Sequence, residues 1–181
     1  MSGILELIET YQTLIVGILG FLGVIATLIF NSKLSRDLRK DELKHERNSI
    51  RQALITELES LKGSFKDKSE SVETDQDWFL PKNIETGIYD VLLPQISLLT
   101  REEIKHVLHA YLLVRETPIR LSLLAAATDL DKTPDEYFHI KNKHVVTVRI
   151  VLAAFIPDID KAISCLSKEL NKGDTKGNQT G

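Results

Sequence analysis

The sequence predicts an all-α protein: one N-terminal transmembrane helix that continues into a cytoplasmic antiparallel helical bundle. Three observations carry that expectation. Thr10 to Ser32 is a run of 23 residues without a charge. From Ile50 onward, apolar residues recur at three- and four-residue steps in separate stretches, the spacing of one helix face. No stretch alternates apolar and polar residues for long enough to read as a strand.

The uncharged run, as a helix at about 1.5 Å per residue, is roughly 34 Å long, enough to cross a hydrocarbon core of about 30 Å. A secretory signal peptide needs a basic start, a shorter apolar centre and a small-residue cleavage site. Met1 to Ser32 holds Glu6 and Glu9 but no Lys or Arg, and the run ends in TLIFNSK without such a site. A core helix this apolar on every face would need protein on all sides, which the remaining chain is too small to supply. Lys33, Arg36, Arg39, Lys40, Lys44, Arg47 and Arg51 all follow the run. An excess of Lys and Arg marks the cytoplasmic side, so the N-terminus is expected outside and the rest inside.

Those seven basic residues stand among four acidic ones (Asp37, Asp41, Glu42, Glu46), a local net of +3 that is able to attract anionic lipid head groups or simply to solvate a helical stalk. With −3 for the whole chain, −6 is left for the remainder, which disfavours a nucleic-acid-binding surface. Cys165 is the only cysteine, so an internal disulfide and a multi-cysteine metal site are excluded.

Between Lys33 and Ser49 only Leu34, Leu38 and Leu43 are large and apolar, the pattern of an exposed helical continuation. Ile50, Leu54, Leu58, Leu61 and Phe65 then form one amphipathic face. The polar stretch from Lys66 to Asp77 reads as a loop. Ile84, Ile88 and Leu92 predict a short helix from Asn83 to just before Pro94. Thr100 and Glu103 form a capping-box pattern, followed by Ile104, Val107, Leu108 and Tyr111 as a buried stripe. Pro118 is expected to kink or end that helix.

Thr133, Pro134 and Glu136 read as the start of the last long helix. Its stripe is Val145, Val148, Leu152, Phe155, Ile159, Ile163, Leu166 and Leu170, with a bend expected at Pro157. The expected divisions are a short extracytoplasmic N-terminus (residues 1–9), the span (10–32), a juxtamembrane helix (33–66), a flexible loop (67–82), a bundle domain (83–171, joined by 50–65) and a disordered tail (172–181).

Ala53, Leu54, Glu57 and Leu58, then Tyr89, Ile96, Leu98 and Leu99, then Tyr111 and Leu112 give the chain a resemblance. With the N-terminal span, these positions resemble a widespread group of uncharacterised bacterial single-pass membrane proteins with a cytoplasmic helical domain. The resemblance runs from about Ile15 to Leu113 and departs from the group's pattern at Ser97, where Gly is frequent, and at Arg101-Glu102, where Pro-Glu is frequent. It implies a bacterial inner membrane setting.

Candidate chemistry is sparse. Glu102, His106 and His109 lie at i, i+4 and i+7 and could project from one helix face as metal ligands. They lack the order of a zinc-hydrolase motif and an indicated fourth ligand, so surface histidines flanking an apolar stripe explain them as well. Asp129, Asp131 and Asp135 lack the central Gly and terminal Glu of a calcium loop. His139 and His144 are poorly spaced for a joint site, and Ser122 and Cys165 have no base at motif spacing. In the span, Gly20, Gly23 and Thr27 offer a small-residue face for helix–helix contact.

No catalytic residue and no cofactor is expected. The expected partners are the membrane and a protein partner or second copy. The reading these features favour is a non-enzymatic, membrane-anchored interaction, scaffold or sensor protein. A small membrane effector or accessory subunit, of the kind used in phage defence or transport, is the alternative, and a metal-dependent enzyme a more distant one.

Overall fold

The computed structural model describes the backbone at residues 2–71, 75–125 and 135–175, and side chains at 16–71, 75–125 and 135–171. The elements in chain order are α1 (Ser2–Glu70), β1 (Trp78–Pro81), α2 (Gly87–Leu92), a 3-10 turn (Leu93–Leu98), α3 (Arg101–Ser122), β2 (Tyr137–Ile140) and α4 (Asn142–Thr175). Among the described residues the protein is mostly helical, with four α-helices. It divides into two compact units, residues 1–46 and 47–181.

The first unit is helical throughout its described length. Every described side chain from Val16 to Glu46 is exposed, and the large apolar ones between Val16 and Phe30 are 37–68% exposed. Its apolar stretch has a mean hydropathy of 1.7 and is long enough to cross a membrane, as a span or as a signal. Leu34, Leu38 and Leu43 are exposed as well, as expected of a helix with no apolar face to bury.

The second unit has its own core. The expected face of α1 is buried at each of its five positions, Ile50, Leu54, Leu58, Leu61 and Phe65. On α4, Val145, Val148, Leu152, Phe155, Ile159 and Leu166 are buried, while Ile163 and Leu170 pack at the margin. Partners advance together along α1 and α3, Arg51 with Glu103 and Glu57 with Tyr111, so these helices run parallel. Partners recede along α4, Lys62 with Asp160 and Ser69 with Arg149, so α4 runs antiparallel to α1. A parallel pair cannot be joined by a tight turn, and the segment holding β1, α2 and the 3-10 turn makes the return.

Two strands replace segments read as loop and helix. Trp78–Pro81 and Tyr137–Ile140 pair antiparallel, Leu80 opposite Phe138 and Phe79 opposite His139. Because side chains alternate across a strand, Trp78, Leu80, Phe138 and Ile140 turn to the core while Phe79 and His139 stack outside, ring centroids 5.1 Å apart. The loop expected over 67–82 therefore corresponds to the last turn of α1, which runs to Glu70, a connection, and β1; residues 72–74 lie outside the described residues.

The start expected for the last helix is also corrected. α4 begins at Asn142, because residues 137–140 are held in the ladder and Asp77 Oδ1 accepts the Asn142 backbone N–H at 2.8 Å. Thr133 and Pro134 lie outside the described residues. At the other end α4 continues through Gly173 to Thr175, and residues 176–181 lie outside the described residues.

Further corrections are local. The helix expected from Asn83 begins at Gly87, and Pro94 sits within the 3-10 turn. Tyr89 is its buried residue, and Ile88 is exposed. On α3 the capping box at Thr100 forms, with Glu103 Oε2 accepting the Thr100 N–H at 2.7 Å and Thr100 Oγ1 accepting the Glu103 N–H at 3.4 Å. The buried stripe is Glu103, Val107, Ala110, Tyr111, Val114, Thr117 and Leu121, with Ile104 at the margin and Leu108 exposed. Pro118 and Pro157 both lie inside continuous helices. Proline removes one i to i−4 bond without ending a helix whose faces are held by packing.

Candidate functional site

The residues of the expected metal face do not assemble. Glu102 is exposed and His106 half-buried, while His109 is exposed with Nε2 3.7 Å from Asp158 Oδ2 on α4. Among the described residues no three His, Cys, Asp or Glu side chains converge as metal ligands. Of the aspartates weighed for calcium, Asp129 and Asp131 lie outside the described residues and Asp135 is exposed. Ser122 Oγ donates to its own helix at the Ile119 carbonyl. Burial pushes the half-buried Cys165 thiol above its ordinary range, with Glu103 adding to the effect, which disfavours the reactive thiolate. In α1, Thr27 Oγ1 donates to the Gly23 carbonyl at 2.9 Å, and a Cβ at Gly20 or Gly23 would meet open space.

The structure instead concentrates polar groups inside the second unit, in two clusters on the shared face of α1 and α3. In the first, the Glu57 carboxylate accepts the backbone N–H groups of Ile88 and Tyr89, each at 2.9 Å, and the Tyr111 hydroxyl at 2.6 Å. The two N–H groups belong to the first turn of α2, which has no intrahelical partners for them, so a carboxylate there satisfies both and meets the positive end of the helix. This fixes where α2 begins.

Tyr89 and Tyr111 stack at 3.9 Å between centroids, and the Arg115 guanidinium lies over the Tyr89 ring at 5.4 Å while pairing with Asp90. Burial, then the Glu57 hydrogen bond and charge, push the Tyr111 phenol far above its ordinary range. Its hydroxyl stays protonated at neutral pH and donates to Glu57. Burial likewise raises Tyr89.

In the second cluster Arg51 and Glu103 form a forked pair, Nε to Oε1 at 2.6 Å and Nη2 to Oε2 at 3.1 Å, with both side chains almost fully buried. Burial alone would raise the Glu103 carboxyl. The hydrogen bonds from Arg51 and from the Thr100 backbone and hydroxyl outweigh it, and the carboxyl is held below its ordinary range. Asn48 Oδ1 accepts a further Arg51 N–H at 3.0 Å. Sequence reading gave Glu103 a capping role and Arg51 only a place in the basic flank. The signal for their pairing is a charge inside each apolar stripe, at Arg51 beside Ile50 and Leu54 and at Glu103 four residues before Val107.

A third polar tie sits at the strands, where Asp77 Oδ2 meets His139 Nε2 at 2.7 Å while its Oδ1 caps α4. The Asn142 N–H and His139 hold the Asp77 carboxyl below its ordinary range. Alongside lies a cleft of about 280 Å³ floored by Leu61, Phe65, Leu80, Leu121 and Leu152, with Lys68 at its margin. That is near the lower end of small-ligand pocket sizes. The Glu57 and Glu103 carboxylates and the Tyr111 hydroxyl are each engaged in bonds that hold one element against another. The arrangement positions helices.

Comparison with protein-family models, with curated proteins and with solved structures returns no match.

Proposed function

We propose that this chain is a single-pass protein of the bacterial inner membrane, N-terminus outside, whose cytoplasmic helical domain is a non-enzymatic interaction module that scaffolds, senses or recruits a partner at the membrane. One contrast carries the reading. The apolar side chains from Val16 to Phe30 are exposed, whereas the unit from Arg47 onward buries a core of its own. Exposed apolar surface on that scale needs a cover, and a run of this length matches a bilayer.

The orientation rests on the basic residues after Ser32 and their absence before it. The bacterial setting rests on the resemblance, whose Glu57, Tyr89 and Tyr111 positions meet in one hydrogen-bonded cluster. The interaction role rests on how the buried polar groups are used, since Arg51, Glu57, Glu103 and Tyr111 are all engaged in holding the helices. Tethering then raises the domain's local concentration near a membrane-bound partner without any new contact.

Cysteine labelling in intact cells tests the topology. With Cys165→Ser as background, Ser2→Cys should react with a membrane-impermeant thiol reagent, and Thr175→Cys only after lysis. The reverse pattern would overturn the orientation, and equal labelling of both before lysis would overturn the span.

A further inference from the structure

We propose that one face of α1 directly after the apolar run, formed by Lys33, Arg36, Lys40 and Lys44, binds the phosphate of anionic phospholipid headgroups; this rests on the membrane reading above. The four cations follow one another at steps of three, four and four residues on a continuous helix. At about 100° per residue they fall within an arc of about 80°, one side of the helix. Asp41, Glu42 and Glu46, and Arg39, the one other Lys or Arg between residues 33 and 46, lie about 100° or more from the centre of that arc. Asp37 is the acid nearest to the stripe. The charge of this segment is therefore largely sorted by face, with Asp37 at the edge of the stripe.

Geometry adds a direction. Helical side chains lean toward the N-terminus of their helix, here toward the apolar run. Arg36 does so explicitly, with Nε donating to the Ser32 carbonyl at 3.2 Å and Nη2 to Ser32 Oγ at 3.0 Å. Its guanidinium is thereby held one turn closer to the apolar residues than its own Cα, where a headgroup phosphate would lie, with further N–H donors to offer. Lys40 pairs with Asp37 at 3.3 Å, both side chains well exposed, the kind of contact that contributes little and yields readily to a phosphate. Lys33, Arg36 and Lys40 lie within about 11 Å of one another along the axis, close to the reach of a charged surface in physiological salt.

The test uses the full chain in neutral detergent micelles with equal amounts of phosphatidylglycerol and phosphatidylcholine, the retained lipids being counted by native mass spectrometry. Phosphatidylglycerol should be preferred, by about five-fold for each engaged cation at low salt, and the preference should shrink as salt is raised. Arg36→Gln should lose about five-fold, whereas Arg39→Gln, an equal charge change on another face, should keep the preference. Equal losses in the two variants would overturn the face, and no preference in the parent would overturn the site. Displacement by millimolar inorganic phosphate would overturn the lipid as the occupant. Flotation of the same chain with pure phosphatidylcholine vesicles checks the membrane reading separately, so that a chain which floats but shows no preference counts against this proposal alone.

Discussion

Replacing Glu57 by Gln probes whether the buried carboxylate, and not the apolar stripe alone, fixes α2 against α1 and α3. The two side chains have nearly the same shape, so packing is held constant. The carboxylate accepts three hydrogen bonds, two from backbone N–H groups and one from Tyr111. An amide supplies only one acceptor oxygen, and its NH2 must then face a backbone N–H, donor against donor. Hydrogen bonds to a charged acceptor contribute about 1.5–3 kcal/mol each, and a buried donor left unpaired costs about 1–3 kcal/mol.

The Gln variant should thus lose about 2–4 kcal/mol, a large fraction of the roughly 5–15 kcal/mol stability of a domain. Tyr111→Phe, which removes one bond and keeps the ring stack, should lose about 1.5–3 kcal/mol. The double variant should lose less than the sum, because both changes remove the same bond. Urea unfolding of the chain lacking residues 1–32, followed by circular dichroism, measures all three. A Gln variant within about 0.5 kcal/mol of the parent would refute the role assigned to Glu57.

Other substitutions address the remaining parts. The Glu103 carboxyl is held below its ordinary value of 4.5, so its contribution is present above that value and is lost as pH falls through the lower folded-state value. Glu103→Gln should therefore be less stable than the parent at pH 7, and the gap should narrow on acidification; a gap that is constant from pH 7 to 3 would contradict the pairing with Arg51. Thr100→Ala removes one half of a formed capping box and should cost about 1 kcal/mol in the same unfolding assay. Leu152→Asp places a carboxylate in the α4 core and should abolish the cooperative melt, since an unpaired buried charge costs several kcal/mol. The His106→Ala, His109→Ala double variant, at half-buried and exposed positions, should keep its midpoint within a few degrees, with no stoichiometric metal in the purified parent by elemental analysis.

What was legible in the sequence was local. The stripes of Ile50–Phe65 and Val145–Leu170 were readable because a 3.6-residue period repeats several times within each. The Thr100–Glu103 box was readable because both partners fall within four residues. The strands were not, since four residues each give no period to detect and their partners lie about sixty residues apart, and that pairing in turn hid the true start of α4. Position alone places Glu57 in a motif and Arg51 in a basic flank. Their partners sit 54 and 52 residues away, and only the packing of parallel helices brings them together. The apolar period that starts at Ile104 runs through Leu108, yet Leu108 is exposed. The stripe instead turns through Glu103 and Thr117, polar residues that hydrophobic periodicity passes over.

The central claim is that an exposed apolar helix anchors a domain that folds by itself, and alkaline carbonate extraction of membranes from cells expressing either the full chain or residues 33–181 tests it most directly. The full chain should remain with the membrane pellet, while the shortened chain should be released as a soluble helical protein with a cooperative melt. Release of the full chain by carbonate, or loss of the shortened chain to aggregates, would contradict the account.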